Sequence, residues 1–327
     1  MREKETNMKR IGILTSGGDA PGMNAAIRAV VRTAYTKGIE TVGILRGYEG
    51  LIEDDMIPLT RESVGDIIQN GGTILKTARS ERFKSYFGQD KAIENLNRHN
   101  IDALVVCGGD GSFRGACDLS RKGVLVMGVP CTIDNDQGYT DYTIGFDTAV
   151  NTVLDAVSKI RDTASSHDRT TIVEVMGREC GDIALFAGLT GGADYILIPE
   201  VPVDTGAVIE KVKEGVKRNK NHCIIIKAEG VDIATSDLCD VIADGTGQEV
   251  RSVVLAYLQR GGSPSAKDRM LASLTGSRAV ELIDQDSSSK AIGITGNEIS
   301  DISIEEAVSI KRQVNLELLS LIDNLSK

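Results

Sequence analysis

The sequence has no tryptophan, 5 phenylalanines and 7 tyrosines among its 327 residues. It also has no apolar run of the roughly 18 residues that a membrane-spanning helix needs. No signal-peptide pattern opens the chain, and the residues before Met8, MREKETN, predict a polar, disordered lead. From these absences we expect a soluble, cytoplasmic protein with no membrane partner.

An excess of basic charge is also absent. The chain has 37 Lys and Arg against 47 Asp and Glu, a formal net charge of −10, and no long basic run. This balance predicts that nucleic acid is not a partner. The 6 cysteines form no CxxC pair and lie mostly in apolar runs, which indicates buried, reduced thiols rather than a zinc site.

What the chain does have is a repeated order of apolar run, glycine-rich loop and amphipathic segment. The runs predict strands at 10–14, 41–45, 103–107, 124–129, 171–175, 195–198, 223–226, 251–257 and 291–294. The amphipathic segments predict helices at 23–37, 89–98, 146–164, 180–189, 207–217, 266–284 and from about 303. This alternation predicts an α/β protein, made of two doubly wound α/β domains with a cleft between them.

Two polar clusters follow neighbouring predicted strands. GGDGS occupies 108–112 and TIDND occupies 132–136. A strand that ends in glycines and opens a helix presents N–H groups to an anion. Phosphate beside carboxylates implies a bridging Mg²⁺, so the clusters together predict phosphoryl transfer.

Each cluster alone also fits a structural role. GGDGS fits a strand-to-helix turn, and TIDND fits an Asx turn. The chain has no GxxxxGK[ST] segment, and Arg114 stands where GxGxxG needs its third glycine. The 3 histidines lie in settings that favour surface positions. Five arginines lie beside strand ends or glycines, as phosphate recognition requires of an acidic protein: Arg79, Arg169, Arg178, Arg251 and Arg260.

Six segments taken in order resemble the 6-phosphofructokinase family over nearly the whole chain. They are TSGGDAPGMNAAIR (15–28), GGDGS (108–112), TIDND (132–136), SSHDR (165–169), MGR (176–178) and QRGG (259–262). The resemblance implies transfer of the ATP γ-phosphoryl to the 1-hydroxyl of fructose 6-phosphate, the first committed step of glycolysis. It also implies a larger ATP-binding domain, 1–145 plus about 259–308, and a smaller sugar-phosphate domain, about 146–258 plus 309–327.

The resemblance assigns roles by matching position. Asp134 is the expected base, Thr132 contacts the transferring phosphoryl, and Arg178 stabilises its charge. Asp110 and Asp136 are expected to hold Mg²⁺. The ATP site is expected to include Gly18, Tyr48, Arg79, Ser80, Gly109, Asp110, Gly111 and Ser112. The fructose 6-phosphate site is expected to include Thr132, Asp134, Arg169, Met176, Gly177, Arg178, Glu229, Arg251, Tyr257 and Arg260.

The resemblance further implies a homotetramer with shared sites, in which Arg169 and Arg251 reach a neighbouring subunit. A separate site for effectors such as ADP or phosphoenolpyruvate is also implied. Its expected residues are Arg28, Arg32, Arg61, Arg161, Asp194, Arg218 and Lys220.

Two positions depart from the bacterial ATP-dependent pattern. Cys131 stands where those enzymes have Gly and pyrophosphate-using relatives have Lys, and Tyr257 stands where the former have His. Gly111 leaves room for the ATP α-phosphate, which favours ATP as donor. Pyrophosphate remains an alternative donor, and a non-catalytic effector-binding subunit is a further alternative. Another kinase with GGDG, acting on NAD or diacylglycerol, is disfavoured by the QRGG segment.

Overall fold

Residues 9–220 and 222–325 are described by the computed structural model, and the polar lead predicted at 1–7 lies outside them. Contacts group the chain into two units. Among the described residues, unit 1 comprises 9–132, then Gln137–Gly145 and Arg260–Lys311. Unit 2 comprises Ile133–Asp136, the described part of Phe146–Gln259, and 312–325.

Unit 1 is built on a twisted sheet with the strand order β12-β11-β5-β4-β1-β2-β3, and β6 pairs with β5. The strands are β1 Arg10–Ser16, β2 Glu40–Ile44, β3 Met56–Leu59, β4 Ala103–Gly108, β5 Leu125–Thr132, β6 Ile144–Gly145, β11 Lys290–Thr295 and β12 Glu298–Ser303. Pairing is parallel except at the edges, where β3 and β12 run antiparallel to their neighbours. The central strand β4 is buried at every position, which explains its uninterrupted apolar sequence.

The helices of unit 1 pack on this sheet in two groups. They are α1 Met23–Thr36, α2 Gly47–Glu53, α3 Tyr86–Arg98, α4 Asp110–Arg121, α9 Ala266–Asp284 and α10 Ile304–Ala307. Helix α1 packs against α9, whereas α2, α3 and α4 form the other group. The latter group buries an apolar core that contains Leu51, Leu96, Phe113 and Leu119.

Unit 2 has a smaller sheet with the strand order β10-β7-β9-β8, parallel throughout. Its strands are β7 Thr170–Val175, β8 Tyr195–Leu197, β9 Cys223–Ala228 and β10 Val250–Val254. Its helices are α5 Phe146–Ser166, α6 Asp182–Gly191, α7 Thr205–Lys217, α8 Thr235–Thr246 and α11 Glu317–Leu325. The predicted fold class is confirmed, since both units are largely parallel sheets covered by helices.

The structure corrects several element predictions. The strand predicted at 251–257 ends at Val254, and Tyr257 lies in a short 3₁₀ helix, Ala256–Arg260. The single terminal helix predicted from about 303 is wrong, because α10 covers only Ile304–Ala307 and α11 follows separately. Helices α2 and α8 and the edge strands β3 and β12 were not predicted: α2, β3 and β12 are short, whereas α8 spans 12 residues but buries only Thr235, Leu238 and Ile242.

Candidate active site

Three neighbouring strands of unit 1 end side by side in polar loops. The parallel register pairs Ser16 of β1 with Gly108 of β4, and Gly108 with Pro130 of β5. The segments that begin at Gly17, Gly109 and Thr132 therefore leave the sheet at the same edge. In open α/β sheets this edge, at the carboxyl ends of the strands, is where ligands bind.

Two glycines of GGDGS lie in different surroundings, one tightly packed and one open. A Cβ on Gly108 would lie 2.5 Å from Ser112 Oγ and 2.7 Å from the Ser16 carbonyl oxygen, so close packing requires glycine there. A Cβ on Gly111 would meet no atom of the described residues within 4 Å. Gly111 therefore leaves the first turn of α4 without a side chain at an exposed position.

Tyr48 supports this turn from behind. Its ring is buried and stacks on Phe83 with centroids 4.0 Å apart, and its hydroxyl donates to the Ser112 carbonyl oxygen at 2.6 Å. Burial raises the pKa of Tyr48 well above its ordinary value, so the hydroxyl remains a donor. Of the other predicted ATP residues, Ser80 bonds Glu49, whereas Arg79 is exposed and has no ion pair among the described residues.

Thr132, Asp110 and Arg260 also lie at this edge of unit 1. Thr132 is buried at the end of β5 and packs on Gly109, where an added Cβ would lie 3.2 Å from Thr132 Cβ. Asp110 opens α4 and forms an ion pair with Arg114, Nε to Oδ2 at 2.9 Å. Arg260 donates to the Asp19 carbonyl oxygen at 3.2 Å and lies against Gly18. The structure thus brings Arg260, predicted for the sugar phosphate, beside a residue predicted for ATP.

Within residues 9–220 and 222–325, no three His, Cys, Asp or Glu side chains gather closely enough to hold a metal ion. Mg²⁺ in phosphoryl-transfer sites is usually bound through one or two carboxylates together with substrate phosphates. The half-exposed carboxylate of Asp110 at a helix start fits that mode of binding.

Asp134 and Arg178 form an ion pair within unit 2, Nε to Oδ2 at 3.2 Å. The Asp134 side chain is 1% exposed, whereas that of Arg178 is 44% exposed. Arg178 follows β7 in the turn Met176–Gly177–Arg178 and has a left-handed backbone, with φ of 53°. Two residues that the sequence predicts to be catalytic are therefore in direct contact, with the guanidinium open to a ligand.

Glu229 shapes the turn that carries Arg178. It follows β9, the neighbour of β7, and its Oε1 accepts from the backbone N–H groups of Gly177 at 3.2 Å and Arg178 at 2.9 Å. Gln259 Oε1 accepts from Met176 N at 3.1 Å, so both ends of the turn are tied. Gln259 belongs to the QRGG segment and is buried, and this bond gives it a structural role that the sequence did not indicate.

Arg169 and Arg251 lie at the other end of the sheet of unit 2. Both pair with Glu249, Arg169 through Nε at 2.8 Å and Arg251 through its own Nε at 2.7 Å. Arg169 precedes β7 and Arg178 follows it, so six residues of strand, roughly 20 Å, separate them. Tyr257, also predicted for the fructose 6-phosphate site, lies in the 3₁₀ helix Ala256–Arg260 and is 79% exposed.

A family model described as phosphofructokinase matches residues 10–283. The chain belongs to the phosphofructokinase family. The resemblance drawn from the sequence is thereby confirmed. A relative from Clostridium tetani, named ATP-dependent 6-phosphofructokinase, is 55% identical over 319 residues, which are 98% of this chain and 100% of that protein.

Solved phosphofructokinases share the fold. The Pichia pastoris phosphofructokinase in the T-state is 36% identical with a TM-score of 0.89, over 92% of this chain and 35% of that longer chain. A pyrophosphate-dependent phosphofructokinase from Marinobacter aquaeolei is 23% identical with a TM-score of 0.85, over 96% of this chain and 91% of that one. The latter similarity shows the fold alone.

Four of the predicted effector residues lie around one end of α6 in unit 2. A cavity of about 340 Å³ is lined by Asp194, Arg218 and Lys220 together with the C-terminal end of α6. Asp194 is buried, pairs with Lys220 and accepts from Ile224 N at 2.9 Å. Arg161 donates to the carbonyl oxygens of Gly191 and Gly192, which end α6.

The other three predicted effector residues belong to unit 1. Arg28 and Arg32 are one turn apart on α1. Burial is the larger cause and the charge of Arg32 the smaller cause of a lowered pKa of Arg28. Arg61 lies 5.9 Å from the ring centroid of Tyr35. No carboxylate pairs with any of these three arginines in the part of the chain that the structure describes. Arginines without a carboxylate partner are suited to binding an anion.

No candidate spanning helix is found among the described residues, because none is both long and apolar enough to cross a bilayer.

Proposed function

We propose that this chain transfers the γ-phosphoryl group of ATP to the 1-hydroxyl of fructose 6-phosphate, giving fructose 1,6-bisphosphate and ADP. The observation that carries the proposal is the 55% identity, over the full length of a relative, to a protein named ATP-dependent 6-phosphofructokinase. The glycine turn of unit 1 and the Asp134–Arg178 pair of unit 2 supply the groups that the reaction needs.

The nucleotide is assigned to unit 1. The N–H groups at the start of α4 favour a phosphate, and the open space at Gly111 admits one. Arg79, exposed and without an ion pair among the described residues, is the cation assigned to the nucleotide. Asp110 and Asp136 are assigned to Mg²⁺, which would neutralise the charge of the donor's phosphates.

Asp134 is assigned to accept the proton of the sugar 1-hydroxyl. A buried carboxylate held by a guanidinium has a fixed direction, as a positioned base needs. The exposed side of Arg178 is then available to the charge that spreads over the transferring phosphoryl oxygens, and Thr132 to contact with that group. Positioning and charge stabilisation supply most of the rate enhancement in such reactions.

Met176, Gly177, Glu229, Tyr257 and Arg260 are assigned to fructose 6-phosphate of the same subunit. Arg169 and Arg251 are assigned to a neighbouring subunit's fructose 6-phosphate, in a homotetramer. Their separation from Arg178 by the length of β7 supports this, because one sugar phosphate cannot contact both ends of the strand.

Effector binding is assigned to three arginines of unit 1 and to the cavity at the end of α6. The first set consists of Arg28, Arg32 and Arg61, and the second of Arg161, Asp194, Arg218 and Lys220. The positive charge in both sets fits phosphorylated effectors such as ADP or phosphoenolpyruvate.

The test is the initial rate with fructose 6-phosphate and Mg²⁺, comparing ATP with pyrophosphate at equal concentration. We expect ATP to be strongly preferred. Preference for pyrophosphate would mean that Cys131 and Tyr257 outweigh the open space at Gly111. Turnover with neither donor would overturn the proposal in favour of a non-catalytic subunit.

A further inference from the structure

Asp182 is a buried carboxylate that none of the roles proposed above uses. It is the first residue of α6 and its side chain is 1% exposed. Its Oδ2 accepts three hydrogen bonds: from Asn135 Nδ2 at 2.7 Å, from Arg312 Nε at 3.0 Å and from Arg312 Nη2 at 2.7 Å. The Arg312 guanidinium therefore balances the negative charge of Asp182, and the three hydrogen bonds fix the orientation of its carboxylate.

Asn135 stands between the proposed base and the proposed metal ligand. It is fully buried, and its φ of 54° lies in the left-handed region, which residues other than glycine rarely adopt. Asn is among the residues that tolerate this conformation. Since Asn135 lies between Asp134 and Asp136 in the chain, its backbone conformation sets the relative directions of those two side chains.

The segment that carries Arg312 is itself tied to the end of this loop. Lys311 pairs with Gln137 in an antiparallel bridge. The residue before Arg312 is thus held against the residue after Asp136. Arg312 meets Asp182 from a segment more than a hundred residues away in the sequence, so the contact is made only when the chain is folded.

We propose that Asp182 and Arg312 are positioning residues, which fix Asn135 and thereby aim Asp134 and Asp136 for phosphoryl transfer. The inference rests on the proposed function of that loop. A buried ion pair contributes little net stability compared with apolar packing of the same volume. Stability alone therefore does not account for a guanidinium and a carboxylate at this place.

The first test compares two ion pairs of unit 2 that are matched in burial. Arg312 and Asp182 are 20% and 1% exposed, and Glu174 and Lys227 are 21% and 2% exposed. Arg312→Met and Glu174→Met each leave a buried charge without its partner. We expect Arg312→Met to lower kcat about 100-fold with KM for fructose 6-phosphate nearly unchanged, as a displaced catalytic group would.

The control variant Glu174→Met should lose thermal stability to a similar extent and retain its kcat within about twofold. If both variants lose kcat equally, Arg312 is merely structural and the proposal is wrong. Should Arg312→Met fail to fold, Arg312→Lys keeps the charge but not the two-pronged contact, and a kcat equal to wild type in that variant would also overturn the proposal.

A double-mutant cycle tests whether Asp182 acts through Asn135. Asp182→Asn alone should lower kcat, but in an Asn135→Ser background, where the amide is absent, it should have little further effect. Losses of kcat that simply multiply would contradict the proposal. Absence of wild-type turnover would overturn the proposed function itself, whereas active variants beside an active wild type would overturn the positioning role alone.

Discussion

Asp134 is buried against Arg178, so the chemistry of a single carboxylate can be tested at the residue scale. Replacing Asp134 by Ser removes the proposed base and leaves the sugar-phosphate residues in place. We expect kcat to fall by roughly 10²- to 10⁴-fold, the usual worth of a positioned base. Binding of fructose 6-phosphate, measured by titration of the variant, should change little.

Asp204→Ser is the matched control for this change. Asp204 caps α7 in the same unit by accepting from Ala207 N at 2.9 Å. Ser caps helices as well as Asp does, so neither stability nor kcat should change appreciably. Normal turnover by Asp134→Ser would refute the assignment of the base.

The cysteines give a second prediction at the residue scale. Cys239 alone among the 6 is not buried; partial burial raises its pKa, and complete burial raises the pKa of Cys131 well above its ordinary value. The reactive form of a thiol is the thiolate. In native protein at pH 8, a disulfide reagent should therefore modify Cys239 first and Cys131 only after unfolding. Fast labelling that persists in Cys239→Ser would show that another thiol is accessible.

At the scale of elements, helix α1 presents an unfavourable pair. Arg28 and Arg32 are four residues apart, and such like charges on a helix cost about 0.2–0.5 kcal/mol. The charge on Arg28 is disfavoured in the folded state, because burial and Arg32 lower its pKa. Arg28→Gln should therefore leave the melting temperature unchanged or slightly raised.

The same substitution should weaken the response to effectors. If Arg28 and Arg32 bind an anion, initial rates of Arg28→Gln should depend less on added ADP or phosphoenolpyruvate than those of the wild type. Arg10→Gln is the control, since Arg10 pairs with Glu40 and has no proposed role in binding. An unchanged effector response in Arg28→Gln would remove α1 from the proposed effector site.

At the scale of the whole molecule, the proposed tetramer shares its sites between subunits. Each complete site then needs Asp134 from the subunit that holds the sugar and Arg251 from the neighbouring subunit. We expect Asp134→Ser and Arg251→Ala chains, each nearly inactive alone, to regain part of the activity when they are refolded together. Light scattering should give about four times the chain mass of 34.9 kDa. A mixture with only the summed activity of its parts would contradict shared sites.

The sequence by itself determined the α/β class, the family and the short segments that carry chemistry. Glycine turns and buried parallel strands leave local signals, because GGDGS needs close packing at Gly108 and β4 needs an uninterrupted apolar run. These signals arise from neighbours in the chain, so they can be read without the fold. A short element such as β3 could not be predicted, because its 4 residues are too few to show a periodic pattern.

The tertiary structure alone decided which side chains meet. Asp134 contacts Arg178, and Asp182 contacts both Asn135 and Arg312, across separations of dozens to more than a hundred residues. No pattern along the chain encodes such a pairing, since it depends on where strands and helices bring their ends. The sequence contains Asp182 and Arg312 but does not indicate their pairing. Only the fold brings Asp182 against Asn135, in the loop that the proposed reaction uses, and Arg312 against Asp182.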